Sequence, residues 1–164
     1  MLLIEAFAPP EAGAAVPSDH LILPFEARTR SRLRTRLASG EEVGLFLPRG
    51  TVLADGDLLL AGDGRLVRVE AARELLSEVR SEDSVQLTRA AYHLGNRHVA
   101  VEVGSDYLRF TRDSVLEGMV RQMGLEVHAV EAPFAPEAGA YGRAHTHGAA
   151  QLPGTPRIHD HFAG

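Results

Sequence analysis

The order of strand-like and helix-like patterns between residues 73 and 137 constrains the fold more than any other feature of the sequence. In two segments, residues 84–95 and 114–123, apolar residues recur at the spacing of three and four that marks one face of a helix. Strand-like segments flank and separate these helices at residues 74–80, 99–103, 107–110 and 127–130. The resulting order, β-α-β-β-α-β, predicts a ferredoxin-like domain in which two helices cover one face of an antiparallel sheet.

The ends of both helices carry recognisable sequence signals. Asp83 stands where an N-cap is needed for the first helix. Gly95 is placed to end that helix in a left-handed conformation, which glycine adopts without steric cost. Ser114 and Glu117 have the spacing of a capping box for the second helix, and Gly124 is placed to close it.

Residues 1–72 follow a different pattern, with short apolar runs interrupted by glycine and proline. Several short strands at close spacing are typical of a small all-β domain. One segment, Arg28–Leu37, carries arginine at every even position, and this period of two predicts a strand with one fully charged face. This Arg-rich strand is suited to an acidic protein partner or to the phosphate backbone of a nucleic acid. The alternative is a solvated face that resists aggregation.

Residues 138–164 are rich in glycine and proline and poor in large apolar side chains, which predicts a flexible C-terminal tail. The tail carries two histidine pairs, each separated by one residue and therefore able to chelate one ion: His145 with His147, and His159 with His161. The expected fold class is α+β. It comprises a β-rich N-terminal domain (residues 1–72), a ferredoxin-like domain (residues 73–137) and this tail.

The composition excludes several classes of site. The chain has no cysteine, so disulfides, thiolate metal sites and thiol nucleophiles are ruled out, and any metal must be bound by nitrogen and oxygen donors. The formal net charge of −5 argues against general nucleic-acid binding. No apolar run is long enough to span a membrane, and residues 1–5 do not read as a secretory signal, so we expect a cytoplasmic protein.

His98 is the residue around which the functional signals can be ordered. It follows the glycine that is expected to end the first helix and precedes the next apolar run. Neutral imidazole is a common ligand of nickel, copper and zinc, but one histidine cannot hold such an ion alone. The remaining donors could be the tail histidines or a second copy of His98 from a partner chain. The alternative is an ordinary polar residue at the periphery of the domain.

Two motifs identify a family that this chain resembles. Residues 92–98 read Tyr-His-Leu-Gly-Asn-Arg-His, and residues 136–142 read Pro-Glu-Ala-Gly-Ala-Tyr-Gly. Together with the segment Asp113–Leu125, their order and spacing are similar to those of the urease accessory nickel metallochaperones over residues 74–142. The resemblance implies a β-rich N-terminal domain, a ferredoxin-like metal-binding domain, a head-to-head homodimer and a mobile tail with histidines.

The resemblance also implies a function. By position, His98 corresponds to the family's interface histidine, which each subunit contributes to one shared ion. The family's task is to pass Ni²⁺ to the urease pre-activation complex through a partner GTPase, without catalysis of its own. We expect His145, His147, His159 and His161 to complete the site, which would also take Zn²⁺ or Cu²⁺. Association of two dimers around one ion is left open.

Two other function classes remain as alternatives. The first is a metal-dependent enzyme that uses His98 and nearby acids such as Glu102. Against it, the sequence contains no zincin motif, phosphate-binding loop or nucleophile elbow. The second is a module that binds nucleic acid or an acidic partner through the Arg-rich strand, with an affinity that would fall steeply with salt.

Overall fold

The structure is a computed structural model, and it describes residues 1–138. It contains two sheets, two longer helices and two short helical turns, so the expected α+β class is confirmed. The expectation of a flexible tail concerns residues that lie outside the described ones. In the described part of the chain, no helix is long and apolar enough to cross a membrane.

The N-terminal sheet has six strands in the order β2-β6-β5-β1-β4-β3. Strands β1 and β4 pair in parallel, as do β2 and β6, and the other neighbours are antiparallel. Two short helical turns, Pro10–Ala14 and α1 (Phe25–Arg28), lie between strands. The strands are β1 (Leu2–Phe7), β2 (Asp19–Leu23), β3 (Arg32–Arg36), β4 (Glu42–Phe46), β5 (Leu58–Ala61) and β6 (Leu66–Ala71).

The Arg-rich strand is shorter than the sequence predicts. Only Arg32–Arg36 forms β3, whereas Arg28 ends helix α1 and is buried. The prediction of a strand face with five arginines was wrong. Between Arg28 and Arg32 the alternating residues are the polar Thr29 and Ser31, so a strand there would have no apolar face to bury, and the first apolar residue of the alternation is Leu33. Glu42 of β4 forms ion pairs with Arg34 and Arg36, two of the three arginines on β3, at nitrogen–oxygen distances of 3.0 and 2.8 Å. These pairs reduce the positive charge that β3 offers to any partner.

The second sheet has four antiparallel strands in the order β10-β7-β9-β8, which is the ferredoxin-like arrangement. The predicted second strand, residues 99–103, is reduced to two paired residues at a sheet edge. The elements are β7 (Arg73–Arg80), α2 (Ser84–Gly95), β8 (Glu102–Val103), β9 (Tyr107–Thr111), α3 (Ser114–Gln122) and β10 (Val127–Pro133).

Helices α2 and α3 cover one face of this sheet. Leu87, Ala90 and Leu94 are the buried apolar residues of α2, and they pack in one core with Leu108 and Phe110 of β9. Burial of each leucine side chain contributes about 2 kcal/mol, so the helical face predicted from the sequence is also the face that stabilises the domain. The opposite face of the sheet carries charged side chains.

Aspartates cap both helices at their N-termini. Asp83 accepts hydrogen bonds from the second and third amides of α2, as predicted, and Asp113 does the same for α3. The capping box of Ser114 and Glu117 was therefore wrong, because the carboxylate one residue earlier takes the cap. Glu117 instead turns inward, where the Ser77 hydroxyl of β7 donates a hydrogen bond of 2.8 Å to its carboxylate.

Candidate metal centre

His98 lies in an exposed turn just beyond helix α2, and its backbone is left-handed, with a φ angle of 57°. The His98 amide donates to the Gly95 carbonyl at 2.9 Å, and the Val99 amide reaches back to the Leu94 carbonyl at 3.3 Å. These two bonds form a Schellman motif with His98 in its left-handed position. The expectation that Gly95 adopts this conformation was wrong, because the helix continues through Gly95 and turns three residues later.

Helix α3 ends in the same motif, but with glycine in the left-handed position. The Gly124 amide donates to Arg121 at 3.0 Å, the Leu125 amide donates to Val120 at 3.4 Å, and Gly124 has a φ angle of 85°. A side chain in this conformation costs about 1–2 kcal/mol relative to the right-handed region. Within residues 1–138, His98 is the only residue other than glycine with a positive φ angle. Backbone strain of this kind is concentrated at functional sites, so the left-handed conformation of His98 marks it as a candidate functional residue.

The other histidines of the described region do not gather around His98. His20 lies on β2 of the N-terminal sheet, where its Nδ1 atom is 2.5 Å from a carboxylate oxygen of Glu70. His128 lies on β10, at the sheet edge opposite β8. His93 is exposed on the last turn of α2. Residues 1–138 contain no group of three or more histidine, aspartate or glutamate side chains that could hold a metal ion.

After β10 the chain crosses the sheet from one edge to the other. We call residues 134–137 the crossing segment. Its first residue, Phe134, is fully buried, and the Phe134 carbonyl accepts a hydrogen bond from the Arg28 guanidinium. The Glu137 amide donates to the Val101 carbonyl at 2.8 Å, next to β8. Because β10 and β8 are the two edge strands, the crossing segment spans the face of the sheet that the helices leave uncovered.

The crossing segment ends close to His98. Val101 is three residues beyond His98, which limits the separation of their Cα atoms to about 10 Å. The tail therefore starts at the same corner of the domain as the strained histidine. The tail histidines His145, His147, His159 and His161 lie outside the described residues.

Glu102 is hydrogen bonded to the crossing segment, and no local pattern in the sequence indicates this contact. The Glu102 carboxylate accepts hydrogen bonds from the Ala135 amide at 2.9 Å, from the Tyr107 hydroxyl at 2.9 Å and from Arg109 at 3.2 Å. Its hydrogen bond with the phenol raises the pKa of Tyr107. Only a non-local contact reveals Glu102, because the donating amide lies more than thirty positions away along the chain.

A second carboxylate completes this network. Burial of Glu78 favours its neutral form, but hydrogen bonds from Arg80 and Arg109 outweigh that effect and lower the pKa of the Glu78 carboxyl. Arg109 bridges Glu78, at 2.7 Å, and Glu102, and its guanidinium lies 4.3 Å from the centre of the Tyr107 ring. On the face of the sheet opposite the helices, Glu78, Glu102, Arg80 and Arg109 thus form a connected set of ion pairs.

Comparison with known proteins places the chain in a family. The model of the UreE urease accessory protein N-terminal domain matches residues 4–72, and the model of its C-terminal domain matches residues 74–162. The chain belongs to the UreE urease accessory protein family. As a member of this family it is an accessory protein rather than an enzyme, which removes the metalloenzyme alternative.

Individual relatives agree with this assignment. The chain is 56% identical over 143 residues to the urease accessory protein UreE of Azotobacter vinelandii, covering 85% of this chain and 86% of the relative. It is 57% identical over 128 residues to the UreE of Cupriavidus necator, covering 78% and 67%. For the UreE of Paraburkholderia xenovorans the identity is 59%, but the match spans only 57% of that longer protein.

Proposed function

We propose that this protein is a nickel-binding metallochaperone that delivers Ni²⁺ to apo-urease during assembly of the urease active site. Membership of the UreE family carries the proposal, since its relatives are named as urease accessory proteins. The strained His98 supports it, because a histidine in a position that favours glycine calls for a functional reason. In this function, nickel is cargo that must be bound and then released.

The ion is shared between two copies of the chain. A two-fold axis next to His98 brings two imidazoles together and supplies two nitrogen ligands from a residue that cannot hold a metal alone. Tyr92 lies on the last turn of α2, six residues before His98, and is 65% exposed, so the proposed contact surface includes an aromatic side chain that burial would stabilise. The homodimer is therefore part of the proposed site, and association of two dimers around one ion would double its imidazole ligands.

The tail histidines complete the shell. Glu137 is hydrogen bonded next to β8, and His145 follows it eight positions later, a length of chain that reaches about 27 Å when extended. This reach exceeds the distance from the start of the tail to His98, so His145 and His147 can bind an ion there. His159 and His161 lie farther along and are suited to capture or exchange. Ni²⁺ accepts four to six nitrogen or oxygen donors, and Zn²⁺ and Cu²⁺ accept the same ligands.

Ligands on a tail suit a delivery protein. An incoming partner can replace them one at a time, whereas a rigid cage would retain the ion. The proposed recipients are a urease accessory GTPase and the urease pre-activation complex, in the cytoplasm. Binding of nucleic acid is not part of the proposal, because β3 presents only three arginines and two of them pair with Glu42.

Calorimetric titration of the full chain with Ni²⁺ tests the proposal. The wild type should bind about one tight nickel ion per dimer, and His98→Ala should lose this tight binding while remaining dimeric. Replacement of the tail histidines by alanine in the full-length chain should weaken the same site by roughly tenfold without abolishing it, as expected when one or two of several ligands are lost.

His128→Ala is the matched control, because His128 is also exposed and lies on the far edge of the same sheet. It should bind nickel like the wild type. Tight binding retained in His98→Ala would refute the shared site. An unchanged affinity after replacement of the tail histidines would instead remove the tail from the site and leave the His98 pair intact.

A further inference from the structure

We propose that Glu102 is a positioning residue that anchors the crossing segment and thereby brings the end of that segment, which the tail histidines follow in sequence, to the His98 side of the domain. This inference deepens the proposed function and rests on it. Glu102 does not touch the metal in this account. It acts through the Ala135 amide, which donates to its carboxylate at 2.9 Å, and so determines where the tail leaves the folded domain.

The geometry explains why an anchor is needed. If the segment came loose, the chain would leave the sheet after Phe134, which is buried and bound to Arg28 next to the end of β10, and β10 is three strands away from β8. Neighbouring strands are spaced by about 4.8 Å, so the start of the tail would move by about 14 Å. The connection to His145 would also lengthen by the three residues 135–137. Both changes lower the effective concentration of the tail histidines at His98.

Glu102 is well placed to hold this segment. Glu102 is only 9% exposed, and hydrogen bonds from the Tyr107 hydroxyl and from Arg109, both on the neighbouring strand, orient its carboxylate. A charged acceptor that is fixed in this way forms a stronger bond to an amide than a neutral one. Arg28 donates to the Phe134 carbonyl at the start of the segment, and the Glu137 amide donates to the Val101 carbonyl at its end. Glu102 therefore supplies the side-chain contact to the middle of the segment, at Ala135.

Glu102→Ala tests the anchor before any metal is added. Hydrogen exchange of the Ala135 and Glu137 amides should be roughly tenfold faster than in the wild type. The Glu102 carboxylate that accepts the Ala135 bond is lost, so the segment opens more often. Glu102→Gln, which keeps the shape and one acceptor oxygen, should fall between the two. Tyr107→Phe keeps the carboxylate acceptor but removes one of the bonds that orient it, so exchange at both amides should accelerate by less than in Glu102→Ala.

Nickel titration then tests the consequence. Glu102→Ala should lower the affinity by about two- to fivefold in the chain with its native tail, from the longer and displaced connection. In a full-length chain whose tail histidines are all alanine, the same substitution should have no further effect. This coupling between distant residues is a readout that a merely structural role of Glu102 would not produce.

Three outcomes would overturn the inference. Unchanged exchange in Glu102→Ala would show that Glu102 does not anchor the segment. An equal loss of nickel affinity with and without the tail histidines would show that Glu102 acts on the His98 corner itself. Faster exchange without loss of affinity would show that the tail needs no anchor. Failure of the proposed function differs from all three, since nickel binding would then not depend on the tail histidines or on His98 in the first place.

Discussion

At the scale of single residues, the two helix ends of the ferredoxin-like domain provide an internal comparison. Both helices close with the same pair of backbone hydrogen bonds, yet one has His98 and the other Gly124 at the left-handed position. The backbone hydrogen bonds are made in both cases, so the turn does not require a histidine at this position. The left-handed histidine is a cost in stability that binding of the proposed shared metal ion would offset.

This cost can be measured without metal. In urea unfolding of the metal-free protein, His98→Gly should be about 1 kcal/mol more stable than His98→Ala, because only glycine relieves the left-handed conformation. Both substitutions remove the imidazole, so both should lose tight nickel binding. Gly124→Ala is the mirror experiment and should lose about 1 kcal/mol. Equal stability of the two His98 variants would show that the turn carries no strain.

At the scale of an element, helix α3 is tied to the sheet by one buried carboxylate. Glu117 accepts hydrogen bonds from Ser77 of β7, and from Arg112 and Arg121. These contacts, with the Ser77 hydroxyl contributing most, lower the pKa of the Glu117 carboxyl. A position that the sequence pattern assigned to a helix cap thus fastens the helix to the strand beneath it.

The lowered pKa of Glu117 determines how its contribution to the stability of the fold depends on pH. A carboxyl whose pKa is lower in the folded state stabilises the fold above its ordinary pKa, and this stability is lost as the pH falls through the folded value. Glu117→Gln should therefore reduce the free energy of unfolding by about 1–2 kcal/mol at pH 7, and the difference from the wild type should shrink below about pH 4.5. Thermal unfolding across this range checks it.

Glu82→Gln is the control for the pH experiment, because Glu82 is exposed at the start of the same domain. The free energy of unfolding of Glu82→Gln should match that of the wild type at both ends of the pH range. A difference between Glu117→Gln and the wild type that is constant with pH would mean that the loss comes from packing and not from the charged carboxylate.

At the scale of the whole molecule, local patterns predicted the ferredoxin-like domain well. The periodicities of residues 84–95 and 114–123 reflect the buried helix faces, and Asp83 caps the first helix as expected. Features that depend on distant parts of the chain were missed. Strand β1 pairs in parallel with β4, and the crossing segment bonds to Val101, and neither contact leaves a local period in the sequence.

Arg28 is the clearest case of a residue that its local pattern misplaces. It was expected on a charged strand face, but it is 2% exposed at the junction of the two sheets. Its guanidinium donates to the carbonyls of Leu53, at 3.0 Å, and of Phe134, and lies 5.4 Å from the centre of the Phe25 ring. Burial lowers the pKa of Arg28, and the nearby acids Glu74, Asp55 and Asp57 oppose this effect.

Removal of the Arg28 guanidinium should therefore destabilise the junction of the two sheets. Arg28→Met leaves two buried carbonyls without their donor, and it should lower the free energy of unfolding by about 2–4 kcal/mol. Arg28→Lys should not restore the loss, because a single ammonium cannot span two carbonyls as the planar guanidinium does. Arg30→Met, an exposed neighbour that pairs with Glu26, should stay within about 0.5 kcal/mol of the wild type.

Calorimetric unfolding of these variants distinguishes coupling of the two sheets from a local effect. Since Arg28 connects the N-terminal sheet to the start of the crossing segment, its loss should weaken the coupling, and Arg28→Met should show a broader transition or two separate ones. An equal and small loss in Arg28→Met and Arg30→Met would mean that the two sheets are held together by apolar contacts, such as the edge-on packing of Phe25 against Phe134, and do not need the buried charge.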